Sequence, residues 1–354
     1  LEISDRKTSH IEICLKNKVE HGSTWLEYVH LIHNPLPDVD FGSIDISTSF
    51  LGYEISAPII IEGMTGGHPS VERLNKNIAE AAERSRVPVE VGSIRAALRD
   101  KSLLNTYRIV RDIAPSVPVI SNIGVDTINH ADGPERAKAA VELLDADALA
   151  VHLNPLQEAI QPEGEPHFRL AADSIRRVVE YVEVPVIVKE VGFGIPGEVA
   201  KIVESLGVSM IDIAGRGGTN WAVVEGIRAD KHGKELQAEA AKTFSSWGIP
   251  TAASVLEVVN AVNIPVIGSG GIRNGLDVAK VIALGSSYAG LALPILKAAV
   301  KGYKEIIKLL DRLKYELKLA MFLTDSADLR GLRNAKFVIT GELLQWVKQR
   351  KIRI

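Results

Sequence analysis

Eight short apolar runs, separated mostly by helix-like segments, limit what this chain can fold into more than any other feature. The runs cover 58–62, 87–91, 117–121, 148–152, 185–189, 210–213, 265–268 and 288–291. Near-continuous Val, Ile and Leu signify strands buried on both faces, as in parallel sheets. Helical patterns lie between them at 71–84, 134–144, 171–181, 196–206 and 276–284. Such alternation over eight units predicts an α/β fold, a closed (β/α)₈ barrel. Pro88, Pro118, Pro185 and Pro265 open four of the runs. Proline is tolerated at the first residue of a strand and rejected in its middle, so these mark strand starts. Gly248–Thr251 resembles a ninth start and is read instead as the lead-in to a helix beginning near Ala253. Residues 1–56 are expected to form an N-terminal capping extension, 57–296 the barrel core, and 297–354 a mainly helical tail with a charged loop at 325–334. Together they are expected to make one domain.

Composition narrows the function classes. With 41 basic and 44 acidic side chains the formal net charge is −3, so no broad pull toward nucleic acid or an anionic membrane is expected. Anion recognition must be local. The single cysteine, Cys14, allows no intramolecular disulfide and suits a reducing cytoplasm. The first residues, Leu1 to Lys7, are charged and lack the apolar core of a signal peptide. The uncharged stretch 281–296 is shorter than the roughly 18 apolar residues of a membrane span and is broken by Gly285, Gly290 and Pro294. It reads as a helix end, a strand and a loop.

A barrel of this kind carries its chemistry at the C-terminal ends of its strands. Here those ends are Gly63-Met64-Thr65-Gly66-Gly67, Gly92-Ser93-Ile94-Arg95, Asn122-Ile123-Gly124 and His152-Leu153-Asn154-Pro155-Leu156-Gln157-Glu158. The others are Lys189, Gly215-Arg216-Gly217-Gly218-Thr219-Asn220-Trp221 and Ser269-Gly270-Gly271-Ile272-Arg273-Asn274-Gly275. In the last, Gly270 and Gly271 let backbone N–H groups approach an anion, a helix follows, and Arg273 adds charge. Ala289-Gly290 ends the eighth strand, and phosphate sites in such barrels are built from the loops after strands 7 and 8. The bland alternative is that the glycines only make a tight turn. Neither G-x-G-x-x-G nor G-x-x-x-x-G-K-[ST] is present, which excludes dinucleotide-fold and P-loop readings.

Lys189 is a charge on a buried strand, which is costly without an anionic partner. It reads either as half of a salt bridge with Glu62 or Asp212, or as a group set against an anion or an electron-rich ring. His152 shares inward parity with Ala148 and Ala150. Beside Asn154, Gln157 and Glu158 it suggests a substrate or metal site. One carboxylate in that run suits Mg²⁺ rather than zinc. Ser93 and Asn122 carry weaker signals, His30 and His33 read as surface residues, and Trp221 as packing. Arg6, Lys7 and His10 form a basic cluster that, on residues alone, reads as a solvated terminus.

These motifs, from Arg6 to about Leu296, resemble one family, the FMN-dependent type 2 isopentenyl-diphosphate isomerases. The His-Leu-Asn-Pro-Leu-Gln-Glu and Gly-Arg-Gly-Gly-Thr-Asn-Trp runs carry the resemblance most specifically. Ile94 departs from it, since glutamine is expected there in many relatives. The resemblance implies that Met64, Thr65, Gly66, Ser93, Asn122, Lys189 and Thr219 surround a flavin. It implies that Gly270, Gly271, Arg273, Ala289 and Gly290 hold the flavin phosphate. Arg6, Lys7, His10, Ser93, Arg95, His152, Asn154 and Gln157 would contact a small diphosphate substrate, and Glu158 would bind Mg²⁺. Gln157 and His152 are the expected catalytic side chains. Reduced FMN would be the active cofactor, NAD(P)H would only reduce it, and the chain would form a homo-oligomer, a tetramer or octamer. The nearest alternative is an FMN-dependent 2-hydroxyacid oxidase or dehydrogenase. Those enzymes resemble the chain at the phosphate loop but carry a histidine base after strand 6, where this chain has none.

Overall fold

The structure, a computed structural model, describes the backbone of residues 3–353 and the side chains from Arg6 onward. Leu1 and Glu2, the first residues of the charged start, lie outside the described residues. Eight parallel strands close into a barrel: β1 (Ile59–Ile61), β2 (Val89–Glu90), β3 (Val119–Gly124), β4 (Ala148–His152), β5 (Val186–Lys189), β6 (Met210–Asp212), β7 (Val266–Ser269) and β8 (Tyr288–Leu291). The β6–β7 pairing and the β8–β1 pairing complete the ring. Each of the four prolines immediately precedes its strand. Their carbonyls accept from neighbouring strands, as in Ile61 N to Pro88 O at 3.0 Å. The missing N–H is thus placed where no ladder bond is lost.

Side-chain parity sorts the barrel into two cores. Ile59, Ile61, Val119, Leu149, Val151, Val188, Ile211 and Ala289 face outward into the helical ring. Ile60, Ile120, Ala148, Ala150, Ile187, Met210, Ile267 and Tyr288 fill the interior. Two residues beyond six of these interior positions the sequence turns polar or to glycine: Glu62, Asn122, Lys189, Asp212, Ser269 and Gly290, with His152 two beyond Ala150. The period of two that built the apolar plug therefore also aims a polar ring at the mouth.

The extension caps both ends of the barrel. A hairpin, Thr48–Phe50 with Tyr53–Ile55, closes the bottom. Phe50 is fully buried there, edge-on to Tyr288, whose hydroxyl donates to Ser49 O at 2.7 Å. Burying that ring is worth about 1.5–3 kcal/mol. At the opposite end helix α1 (Ile3–Lys16) lies over the mouth, with Ile13 and Cys14 packed against Val224, Leu293 and Leu296. Further along, Val29–Leu31 pairs antiparallel with Phe337–Ile339 of the tail.

Two expectations need correction. The segment after β8 is a helix, Leu293–Ala299, started by Pro294 in its first turn. The 325–334 loop contains the helical turn Leu329–Arg333, capped by Asp328, which accepts from Gly331 N at 2.7 Å. The Gly248–Thr251 segment leads into the helix Thr251–Val259, as expected. No helix among the described residues is long and apolar enough to cross a membrane.

Candidate active site

The cavity at the mouth has a volume of about 190 Å³. At its floor Lys189 reaches Glu62 Oε2 at 2.7 Å, Asp212 Oδ2 at 2.9 Å and Glu90 Oε2 at 3.8 Å. Burial opposes the lysine charge, but Asp212, Glu62 and Glu90 outweigh it and hold the ammonium well above its ordinary range. The salt bridge read from the sequence is therefore made to both candidate partners, and to a third, while Lys189 still lines the cavity.

One wall comes from β3 and β4. Asn122 Nδ2 donates to Glu90, so its Oδ1 is left to accept from His152 Nδ1 at 2.8 Å. This puts the His152 proton on Nδ1 and leaves Nε2 as an acceptor. Burial pulls His152 down to about 4, against the Asp126 carboxylate, so the ring is neutral at pH 7. A Cβ at Gly124 would meet Asp126 Oδ1 and His152 Nε2, so a larger residue there would displace both side-chain ends.

Pro155 opens the short helix Pro155–Ile160, which turns Gln157 and Glu158 inward. Asn154 Nδ2 lies 3.3 Å from Gln157 Oε1 and 3.2 Å from Glu158 Oε1. Asn154 Oδ1 is buried with no partner among the described residues. Glu158 is buried, accepts from Glu165 N at 2.9 Å, and has no cationic partner within salt-bridge range among the described residues. Burial first, then Asp126, raises its carboxyl above the ordinary range. An unpaired buried carboxylate beside an orphaned amide oxygen is an oxygen donor set that a hard cation would satisfy.

Above this wall α1 supplies the basic cluster, in a helix rather than a disordered terminus. Lys7 Nζ donates to Ser93 O at 3.3 Å. Burial, then Arg6 and Arg95, lowers the Lys7 ammonium to about 7. Arg95 pairs with Asp126 and lies 3.9 Å from Glu165. His10 Nε2 donates to Glu225 Oε1 at 2.7 Å and packs edge-on to Trp221. Glu225 also accepts from Gln157 Nε2 at 3.2 Å and Arg228 Nη1 at 2.5 Å. Burial raises Glu225, but His10 and Arg228 bring it down to about 2. Gln161, in the orientation that satisfies both of its ends, donates to Glu225 and accepts from Arg6, each at 3.1 Å.

The opposite wall is the loop after β7. Gly270 and Gly271 have φ of +94° and +76°, a region that favours glycine. Their N–H groups and that of Ile272 have no acceptor among the described residues. Asn274 then caps the helix Gly275–Ala283, accepting from Asp277 N at 2.8 Å. Free donors at a capped helix start fit a phosphate. Arg273 turns away to Glu20, at 2.5 and 2.8 Å. The residues fit FMN, with free N–H donors at one side of the cavity and a polar floor beneath it.

Met64, Ser93, Asn122, Lys189, Thr219, Gly270, Gly271, Arg273 and Gly290 all line the cavity, as do Arg6, Lys7, His10, Arg95, His152, Asn154, Gln157 and Glu158. Three expected flavin residues are placed elsewhere. Thr65 is buried and bonded to Asn75, Gly66 packs on Tyr107, and Ala289 faces outward with its N–H donating to Pro58 O at 2.8 Å. Trp221 lines the cavity besides packing. His30 and His33 are exposed. Glu90, Asp126, Gln161, Glu190 and Glu225 were not singled out from the sequence. An acid inside the apolar run 87–91 was a usable signal for Glu90. Glu225 gave none, because its helix looks like any half-buried helix until α1 and β4 are brought against it.

Residues 117–338 match the family model of FMN-dependent dehydrogenases. The isopentenyl-diphosphate delta-isomerase of Methanothermobacter thermautotrophicus is 46% identical over 349 residues, covering 98% of this chain and 97% of that protein. That of Halobacterium salinarum is 44% identical, covering 99% and 97%. Solved structures of mandelate oxidase superpose with TM-scores such as 0.65 at 19% identity, covering 95% of this chain and 97% of that one, and share the fold alone. The chain belongs to the isopentenyl-diphosphate delta-isomerase family, built on the barrel of the FMN-dependent dehydrogenases.

Proposed function

We propose that this chain converts isopentenyl diphosphate to dimethylallyl diphosphate by a 1,3-allylic proton shift that requires reduced FMN and Mg²⁺. The observation that carries the reading is one cavity with two anion-binding sides. In the strand ring β7 and β8 lie diametrically across from β3 and β4. Free N–H groups of the β7 loop suit a flavin phosphate, while Arg6, Lys7 and Arg95 gather on the other side for a diphosphate. Basic donors paired with diphosphate oxygens are charge-assisted and strong.

The reaction adds a proton to the terminal alkene carbon and removes one from C2. An isolated alkene is a very weak base, so a positioned donor and stabilisation of developing positive charge are both needed. Reduced FMN, when bound, supplies an N–H donor and an electron-rich ring. Gly270, Gly271 and Gly290 would hold its phosphate side, with Met64, Ser93, Asn122, Lys189 and Thr219 around the ring. Gln157, fixed between Asn154 and Glu225, is held at the cavity wall and assists the proton transfer. His152 offers its Nε2 lone pair to the substrate, and a diphosphate beside it would raise its proton affinity. Glu158, with Asn154 beside it, would bind Mg²⁺ and so neutralise substrate phosphate charge.

The reaction is redox-neutral, so NAD(P)H serves only to reduce the flavin. We place the enzyme in the cytoplasm as a homo-oligomer. The 2-hydroxyacid oxidase reading fails on the loop after β6, Ala214 to Trp221, which offers no histidine base. The test is anaerobic NMR of isopentenyl diphosphate with the enzyme, reduced FMN and Mg²⁺ in D₂O. Dimethylallyl diphosphate with deuterium incorporated is expected; absence of both overturns the reading. Full turnover by Gln157→Ala would remove Gln157 from the proton transfer.

A further inference from the structure

The floor of the cavity carries more negative charge than its one lysine can balance. Glu62, Glu90 and Asp212 come from three different strands, and their carboxylates lie within 4.8 Å of one another around the Lys189 ammonium. All four side chains are more than nine-tenths buried. Fully ionised, three carboxylates and one ammonium would sum to −2 in a region where uncompensated charge is expensive. Lys189 fills the centre of the group, which leaves a proton, rather than a metal ion, as the means of balance.

The three carboxyls differ in the donors that surround them. Asp212 is ion-paired with Lys189 and accepts from the Ser269 hydroxyl and from Ala214 N at 3.2 Å. Glu90 accepts from Asn122 on one oxygen and faces Lys189 with the other. Glu62 accepts from Lys189 through Oε2, and among the described residues its Oε1 is buried without any partner, which holds for no oxygen of Glu90 or Asp212. A carboxyl with a fully buried oxygen that receives no hydrogen bond is the one whose neutral form costs least. Glu62 is also the only carboxyl of the three that lines the cavity. Its Oε1 lies against the α-carbon of Gly290, where any Cβ would overlap it.

We propose that Glu62 is a neutral carboxylic acid whose O–H, on Oε1, points a hydrogen bond at the flavin from the cavity floor. This rests on the proposal that the cavity holds FMN. It assigns Glu62 a role of its own beyond that of a counter-ion to Lys189. It also gives Gly290 a further reason to be glycine, since the residue makes room for the acid. Burial and the adjacent Asp212 carboxylate push the Glu62 carboxyl well above the usual carboxylate range, which agrees with its unpartnered oxygen.

Infrared spectroscopy tests this directly. Flavin-free protein at neutral pH should show the carbonyl-stretch band of a protonated carboxylic acid, sensitive to H₂O/D₂O exchange. The band should lose the intensity of one carboxylic acid in Glu62→Gln, keep it in Glu90→Gln, and shift when oxidised FMN is added. In parallel, FMN affinity is read by quenching of its fluorescence. Glu62→Gln keeps a neutral donor and should stay within about threefold of wild type, whereas Glu62→Ala should weaken binding about three- to tenfold, the worth of one hydrogen bond. Circular dichroism confirms that each variant is folded, and the glutamine variant serves if the alanine one is not. Absence of the acid band, or an undiminished band in Glu62→Gln, overturns the proposal. So does an acid band that ignores FMN while FMN binds. Failure of FMN to bind at all overturns the flavin reading instead, and failure of the isomerase assay with both other signals intact overturns only the proposed reaction.

Discussion

Lys189→Met removes the positive charge at the barrel floor while keeping a side chain of similar length. Lys189 is 7% exposed, and its nearest partners lie at 2.7 and 2.9 Å. Deleting one partner of a buried ion pair costs about 3–5 kcal/mol, because the remaining charge is left uncompensated. Unfolding entropy of about 2.1 cal/mol/K per residue over this chain's length gives roughly 0.74 kcal/mol per degree, so Tm should fall by about 4–7 °C. The loss should depend on pH. Glu62 already holds a proton; without the ammonium the carboxylates left ionised can relieve their repulsion only by binding further protons, so the folded variant holds more protons than an unfolded chain whose carboxyls titrate at about 4. A raised folded carboxyl pKa means the unfolded state releases its protons first. Stability is then lost as pH climbs past about 4, with the full penalty above the raised folded values. In the wild type Lys189 is held charged throughout this range, its raised value affecting stability only at alkaline pH. Calorimetric melts of flavin-free wild type and variant at pH 5 and pH 8 check this. A Tm deficit clearly larger at pH 8 is expected. Equal deficits at both pH values, or no deficit at pH 8, would refute the reasoning.

Asn274→Ala removes the cap of the helix after β7 and should cost about 1 kcal/mol by thermal melt, with weaker FMN binding in fluorescence quenching. A loss of stability with unchanged FMN affinity would detach the cap from the phosphate loop. Lys7, lowered to about 7, is mostly neutral at pH 8, so inorganic pyrophosphate should draw a proton onto it. Calorimetry in buffers of different ionisation enthalpy should show proton uptake at pH 8 that falls in Lys7→Met. Because the folded pKa lies below the unfolded one, Lys7 itself makes stability rise with pH between about 7 and 10, a slope that the same variant should lose. Glu158→Gln should raise the Mg²⁺ concentration for half-maximal activity by at least the roughly 10–100-fold seen when even an outer-shell partner is lost; an unchanged Mg²⁺ requirement would place the ion elsewhere.

Much of the site was legible because it follows from local rules. His152 could be aimed inward from Ala148 and Ala150, since strand parity needs no knowledge of neighbours. Gly270 and Gly271 could be read as an open donor loop because a helix start beside flexible backbone is a property of a few consecutive residues. Thr65, Gly66 and Ala289 were carried along with motif neighbours that do line the cavity. Their own directions depend on Asn75, Tyr107 and Pro58, which approach from other units.

By itself the sequence determined the eight strands, their proline starts, the inward period of two and the end of the barrel at which polar groups collect. All of these are set by residues within a few positions of one another. Only the tertiary structure decided that Glu62, Glu90 and Asp212 share one lysine, that Gly290 is small to admit Glu62, and that α1 lies over the mouth with Lys7 and His10 inside. It likewise paired Val29–Leu31 with Phe337–Ile339 across most of the chain's length. The reason is closure. Once the first and last strands meet, side chains far apart in sequence are forced into one low-dielectric space, where charge and hydrogen-bond balance, rather than local pattern, selects their partners.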